Sequence, residues 1–121
     1  MDQVEEIGGV RALVLAGDGP RYGAELAATD LVGDAFGHDV DLVVVPAGRL
    51  ADDFWVLRTG VAGEILQKLV NYRLRLAVLG DIAAQVAASD ALRDLVRESN
   101  RGRHAWFLAD RAALADRLAA Q

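Results

Sequence analysis

The stretch Arg58-Thr59-Gly60-Val61-Ala62-Gly63-Glu64-Ile65-Leu66-Gln67-Lys68-Leu69-Val70-Asn71-Tyr72-Arg73 decides how this chain is read. Val61, Ile65, Leu69 and Tyr72 recur at helical spacing, and Ala62, Leu66 and Val70 widen that apolar stripe. Glu64, Gln67, Lys68 and Asn71 fall opposite it as a single polar line. The pattern predicts one amphipathic helix over residues 59–72, dry along one flank, running directly into an apolar strand, Leu74–Leu79.

Working outward toward the amino end, Gln3–Ile7 and Val10–Leu15 are short strands joined by Gly8-Gly9, a hairpin signal. Gly17-Asp18-Gly19-Pro20 breaks the chain. A helix then starts at Tyr22 or Gly23 and runs through Phe36, burying Leu26, Leu31, Val32, Ala35 and Phe36. Asp41–Val45 is a β-branched run of the kind buried on both faces of a sheet, ended by Pro46 and Gly48. Asp52 or Asp53 is expected to cap a short helical turn that carries Phe54, Trp55 and Leu57 inward as an aromatic lid over one sheet edge.

Toward the carboxyl end, Gly80-Asp81 turns into an alanine-rich stretch. Ser89 caps a helix from Asp90 to Ser99, closed by Asn100 or Gly102. His104–Leu108 is the last strand, and Asp110 caps a final helix through Leu118. Strands alternating with helices call for parallel crossovers. The expected fold is therefore α/β, a mixed, mostly parallel sheet of four to five strands opening with a β-hairpin, in one domain spanning residues 1–121.

Composition narrows the function. The chain has 121 residues, 53% of them apolar, a net charge of −5 and no cysteine. An acidic chain argues against a general nucleic-acid binder, and no apolar run is long enough to span a bilayer. Asp2, Glu5 and Glu6 stand where a signal peptide would be basic, so a cytoplasmic location is the reading. Without cysteines there is no disulfide, thiolate or iron–sulfur chemistry. His38 and His104 are isolated and make neither a metal site nor a triad, so neither metal nor cofactor is expected. The local cluster Arg97, Arg101, Arg103 and His104 reads as a solvated helix end. Gly17-x-Gly19-x-x-x-Gly23 follows a strand as a dinucleotide loop would, but Pro20 interrupts it and a turn is the better reading.

Lys68 is the single lysine beside twelve arginines. A compact ammonium and a planar guanidinium are not interchangeable in a tight site, which draws attention to the polar line. Glu64 and Lys68 are also spaced for an ordinary i,i+4 surface pair.

The order hairpin, helix, strand, glycine-containing turn, helix, strand, helix, strand, helix resembles the sulphate-transporter and anti-sigma-factor-antagonist (STAS) fold. In that fold a serine-and-glycine loop leads into the helix that Val61 begins here. The resemblance places Thr59 where the family's phosphorylatable hydroxyl stands and Arg58 where its aspartate stands. Ala62-Gly63-Glu64-Ile65-Leu66-Gln67-Lys68 with Asn71-Tyr72-Arg73, Gly80-Asp81 and Glu98-Ser99-Asn100 also resembles a family of small bacterial proteins catalogued only as a domain of unknown function.

Two functional readings follow. The first is a non-enzymatic regulatory or interaction module. It would bind a protein partner, or itself as a homodimer, through Arg58, Thr59, Gly60, Glu64, Gln67, Lys68, Asn71 and Asp81. Free N–H groups at the amino end of the helix also suit a small anion or an acidic partner loop. The second is a small-molecule-binding protein or acid–base enzyme using Glu64, Lys68 and Asp81 in a pocket. A solvent-facing or dimer-buried polar line favours the module; a concave site where Glu64 and Lys68 converge favours the enzyme.

Overall fold

The computed structural model describes residues 2–24 and 28–120. Gly8 and Gly9 both adopt positive φ, 56° and 82°, as a two-residue hairpin turn of matching twist requires. They join β1 (Gln3–Ile7) and β2 (Val10–Val14) antiparallel, with Ile7 opposite Val10. Every later strand adds in parallel: β3 (Leu42–Pro46), β4 (Arg75–Leu79) and β5 (Ala105–Leu108). The sheet is five-stranded, mixed, and ordered β1-β2-β3-β4-β5.

That sequential order dictates the layers. Crossovers of one hand, stepping always in one direction, deposit their helices on one face. Accordingly α1 (Ala28–Phe36), α3 (Val61–Asn71) and α5 (Asp90–Arg101) share a face. There Leu31, Ile65, Leu69 and Leu92 pack on Leu13, Val43, Val45, Leu76, Val78 and Phe107. The alternate residues Ala12, Leu42, Val44, Ala77 and Trp106 face the other way, against Leu114 and Leu118 of α6 (Arg111–Ala119). Leu42–Val45 are buried throughout, as a β-branched strand covered on both faces should be. Each such side chain, fully withdrawn from water, contributes about 1.5–3 kcal/mol.

α6 touches both edge strands, so the sheet wraps around it. Arg111 grips Glu5 of β1 through two hydrogen bonds, 2.8 and 3.1 Å, which lower the Glu5 pKa. Trp106 on β5 donates its indole N–H to the Gly102 carbonyl at 2.9 Å. Its ring lies between the guanidinium groups of Arg75 and Arg117, 5.5 and 4.9 Å from the centroid.

Ser89 and Asp110 cap α5 and α6 by accepting from the Leu92 and Ala113 N–H groups. Phe54 and Trp55, in the short α2 (Asp52–Trp55), stack edge-on at 4.9 Å and pack on Phe107 of edge strand β5. The aromatic lid is therefore real. A further short helix, α4 (Ala83–Ala87), follows β4.

Several expectations are corrected. Tyr22, Gly23 and Ala24 are not helical; Tyr22 bridges to Leu50 beside the sheet, with backbone bonds of 2.8 Å to Arg49 and Ala51. Leu26 lies outside the described residues. Ala51, with no side-chain bond, occupies the cap of α2, because Asp53 Oδ2 accepts from the Ala24 N–H and Asp52 pairs with Arg21. Thr59 belongs to a preceding 3-10 turn, Leu57–Thr59, and Gly60 is left-handed (φ 80°), so the helix runs 61–71 and the chain bends ahead of it. Phe36, Val70 and Tyr72 are 57%, 38% and 44% exposed rather than buried. α1 and α3 end at the same rim, where the Phe36 and Tyr72 rings meet edge-on at 5.2 Å with no further element over them among the described residues.

Candidate functional site

The outer face of α3 follows from its period. With Val61, Ala62, Ile65 and Leu69 pinned inward, Glu64, Gln67 and Asn71 can only point to solvent, and all three are exposed. Gln67 donates from Nε2 to Asn71 Oδ1 at 2.9 Å, an i,i+4 amide pair that fixes both side chains. Lys68 is half-buried at the border of this face. The i,i+4 ion pair with Glu64 is not formed: no carboxylate lies within 4 Å of Lys68 among the described residues. The exposed Phe36–Tyr72 ring pair adjoins the carboxyl end of the polar line.

At the amino end, Thr59 Oγ1 lies 2.8 Å from the Val56 carbonyl and 2.7 Å from that of Asp53, and accepts the Val61 N–H at 3.2 Å. Its one proton is shared between two carbonyls while a lone pair serves the first helical N–H. The hydroxyl is thus committed to the bend before α3. Arg58, exposed, forms one wall of a cleft of about 570 Å³ between α2 and α4–α5, with Trp55, Val56, Leu57 and Gln85. Asp81 is at the end of β4, where Oδ1 accepts the Ala83 N–H at 2.9 Å and closes the turn into α4.

These residues therefore divide. Glu64, Gln67, Lys68 and Asn71 share one convex helical face, Thr59 and Gly60 shape its lead-in, Arg58 faces the α2–α4 cleft, and Asp81 is tied into a turn. Glu64, Lys68 and Asp81 line neither that cleft nor two further ones of about 290 and 530 Å³. The strand order never reverses, so the sheet has no switch point of the kind at which ligands usually bind.

The carboxyl edge of the sheet is instead held by a residue the sequence pattern did not single out. Arg49 is 5% exposed, and its guanidinium donates to the carbonyls of Pro20 (2.8 Å), Ala16 (2.9 Å) and Asp18 (3.2 Å). It also lies over the Tyr22 ring at 5.4 Å. Gly19 has a positive φ of 133°, and a side chain there would press on the Arg49 guanidinium, while one at Gly23 would meet Asp53 and Ala51. Tyr22 in turn donates to Asp34 Oδ2 at 3.2 Å. Burial, with the nearby Asp34 carboxylate, pushes its phenol up to about 12. The only signal in the sequence was an arginine between Gly48 and Leu50 in an otherwise apolar segment.

Gly102 closes α5. Asn100, one residue before the end of that helix, turns its side chain to the free edge of β5, where its amide accepts the Phe107 N–H (2.8 Å) and donates to the Phe107 carbonyl (3.2 Å). The left-handed residue after α3 is Arg73 (φ 59°). Glu98 pairs with Arg101 at 3.6 Å, not with Arg73 or Arg75.

Among the described residues no helix is long and apolar enough to cross a membrane. No curated protein and no solved structure shows significant similarity to the chain. The profile of the DUF4180 family, described as a domain of unknown function, matches residues 7–118, and the chain belongs to that family.

Proposed function

We propose that this chain is a non-enzymatic regulatory or protein-interaction module of STAS type. It docks a protein partner, or a second copy of itself, on the outer face of α3 and on the loop before it. The observation that carries this reading is the pairing of an ordered polar line with an exposed ring cluster. Gln67 and Asn71 hold each other in place, and Phe36 and Tyr72 remain exposed beside them. Aromatic side chains with a polar rim are the usual anchors of protein interfaces, and ordered side chains reduce the entropy lost on docking.

The opening hairpin, the sequential strand order and the Thr59-Gly60 bend leading into α3 support the STAS comparison. Arg58 in place of that family's aspartate suits an acidic partner loop, with the amino end of α3 beside it. The acid–base alternative draws no support from the geometry, since Glu64 is solvated and converges with neither Lys68 nor Asp81.

The test compares immobilised wild-type protein with Tyr72→Ser and Gln67→Glu in quantitative capture from extracts of the source organism, alongside sedimentation velocity for self-association. The reading predicts loss of one partner, or of the dimer, by about tenfold in Tyr72→Ser, with retention in the remote control Arg93→Gln. Equal recovery from all variants, or a monomer that captures nothing, overturns it.

A further inference from the structure

The opposite flank of α3 leads elsewhere. α1 packs on α3, and α5 packs on β5, but α3 and α5 scarcely touch each other. Between them Leu66, Leu69 and Val70, with Leu76 of β4 and Ala105 of β5, line a cavity of about 290 Å³. Arg103 and His104 line it as well, and together with Arg73, Arg75 and Asp41 they line a second cleft of about 530 Å³. Val70 borders both. An apolar cavity thus adjoins a cleft rich in arginine at the rim where the parallel strands begin.

The charge there runs against the rest of the chain, whose net charge is −5. Glu98 also lines the apolar cavity and pairs with Arg101 at 3.6 Å across exposed side chains. Arg75 is engaged with the Trp106 ring. Arg73 and Arg103 form no ion pair among the described residues. Arg73 also occupies a position that ordinarily falls to glycine. The Leu74 N–H donates to Leu69 and the Arg73 N–H to Val70, the paired bonds of a helix terminus whose left-handed residue needs no side chain. Strain of that kind persists where the side chain has a use.

We infer that this composite cavity binds a small anionic amphiphile, a medium-chain carboxylate, with its tail between α3 and α5 and its carboxylate against Arg103 and Arg73. Guanidinium groups match a carboxylate in bidentate geometry, and Leu66, Leu69, Val70, Leu76 and Ala105 suit an alkyl tail. The inference does not rest on the module reading: Tyr72 lies outside both cavities, so the two fail independently.

Hexanoate, octanoate and decanoate, each below its micelle concentration, are titrated into the full chain at low salt and followed by amide chemical shifts and calorimetry. The expected result is saturable one-site binding with shifts confined to Leu66, Leu69, Val70, Arg73, Leu76 and Gly102–Ala105. Affinity should rise about fourfold per added methylene until the cavity is full. Arg103→Gln, on an exposed side chain, should weaken octanoate roughly tenfold, and 1-octanol should bind as weakly as octanoate does to that variant. Val70→Asp should abolish binding without unfolding the chain. Non-saturable shifts, shifts elsewhere, or equal affinity in Arg103→Gln overturn the proposal. So does a wild-type dimer that dissociates in Val70→Asp and takes up no octanoate, because a second copy would then be the occupant.

Discussion

Replacing Arg49 by methionine tests how the carboxyl edge of the sheet is held. The substitution keeps most of the volume and removes three hydrogen bonds from a charged donor to the carbonyls of Ala16, Asp18 and Pro20. Bonds of that type are worth about 1.5–3 kcal/mol each, so the gross loss is large. Two effects reduce it. Burying a guanidinium that has no ion pair among the described residues costs several kcal/mol in the wild type, and Asp18 and Pro20 lie in an exposed loop whose freed carbonyls water can reach. The balance is a loss of about 2 kcal/mol, or roughly 6–12 °C in Tm for a chain of this length. Arg49→Lys should recover less than half, because a single ammonium cannot span the three acceptors. Urea unfolding gives the stability, and amide exchange across residues 15–20 localises the effect. A methionine variant within about 0.5 kcal/mol of wild type, with unchanged exchange in that loop, would refute the assignment of Arg49 as its organiser.

Other substitutions probe the remaining joints. Arg73→Gly should raise stability by about 0.5–1 kcal/mol in urea unfolding by relieving the left-handed backbone; a loss would show that the side chain is structural. Asn100→Ala strips the edge of β5 of both partners for Phe107. It should cost about 1–3 kcal/mol and increase light scattering on standing, as an unprotected edge strand does; unchanged stability would contradict that role. Ultraviolet titration should find one phenol ionising near pH 12 in wild type and missing in Tyr22→Phe. Because the folded pKa is raised above the ordinary value of 10.0, the stability linked to Tyr22 is complete below pH 10 and lost as pH climbs toward 12. A wild-type advantage over Tyr22→Phe that stays constant through that window would contradict the linkage.

Much of the architecture was legible because it depends on local periodicity. The continuous apolar run Leu42–Val45, the Gly8-Gly9 turn and the Ser89 and Asp110 caps each specify their own surroundings, and a mixed, mostly parallel sheet followed from them. Features that failed depend on where neighbouring elements stop. The helical period assigns Phe36 and Tyr72 to the inner side of their helices, but says nothing about whether another element covers the helix ends. Asn100 lies one residue short of its helix's end, as read, yet its amide serves a strand seven residues on, a contact set by the turn between them. The loop glycines read correctly as a turn, but the reason for Gly19 could not be read, because Arg49, thirty residues away, cannot be seen packing against it in one dimension. The polar line of α3 was visible in the sequence; the cavity on its other flank exists only because α5 leans on β5 instead.

Lys68 provides the most direct test of the interaction face. It is the single lysine of the chain and borders the polar line of α3, so an amine-reactive photo-crosslinker on protein with a blocked N-terminus is installed at that face alone. Irradiation in extract should join Lys68 to one protein, or to a second copy. Excess unlabelled wild type should suppress that product and unlabelled Tyr72→Ser should not. Diffuse labelling that both competitors suppress equally, or no adduct at all, would contradict a docking role for α3.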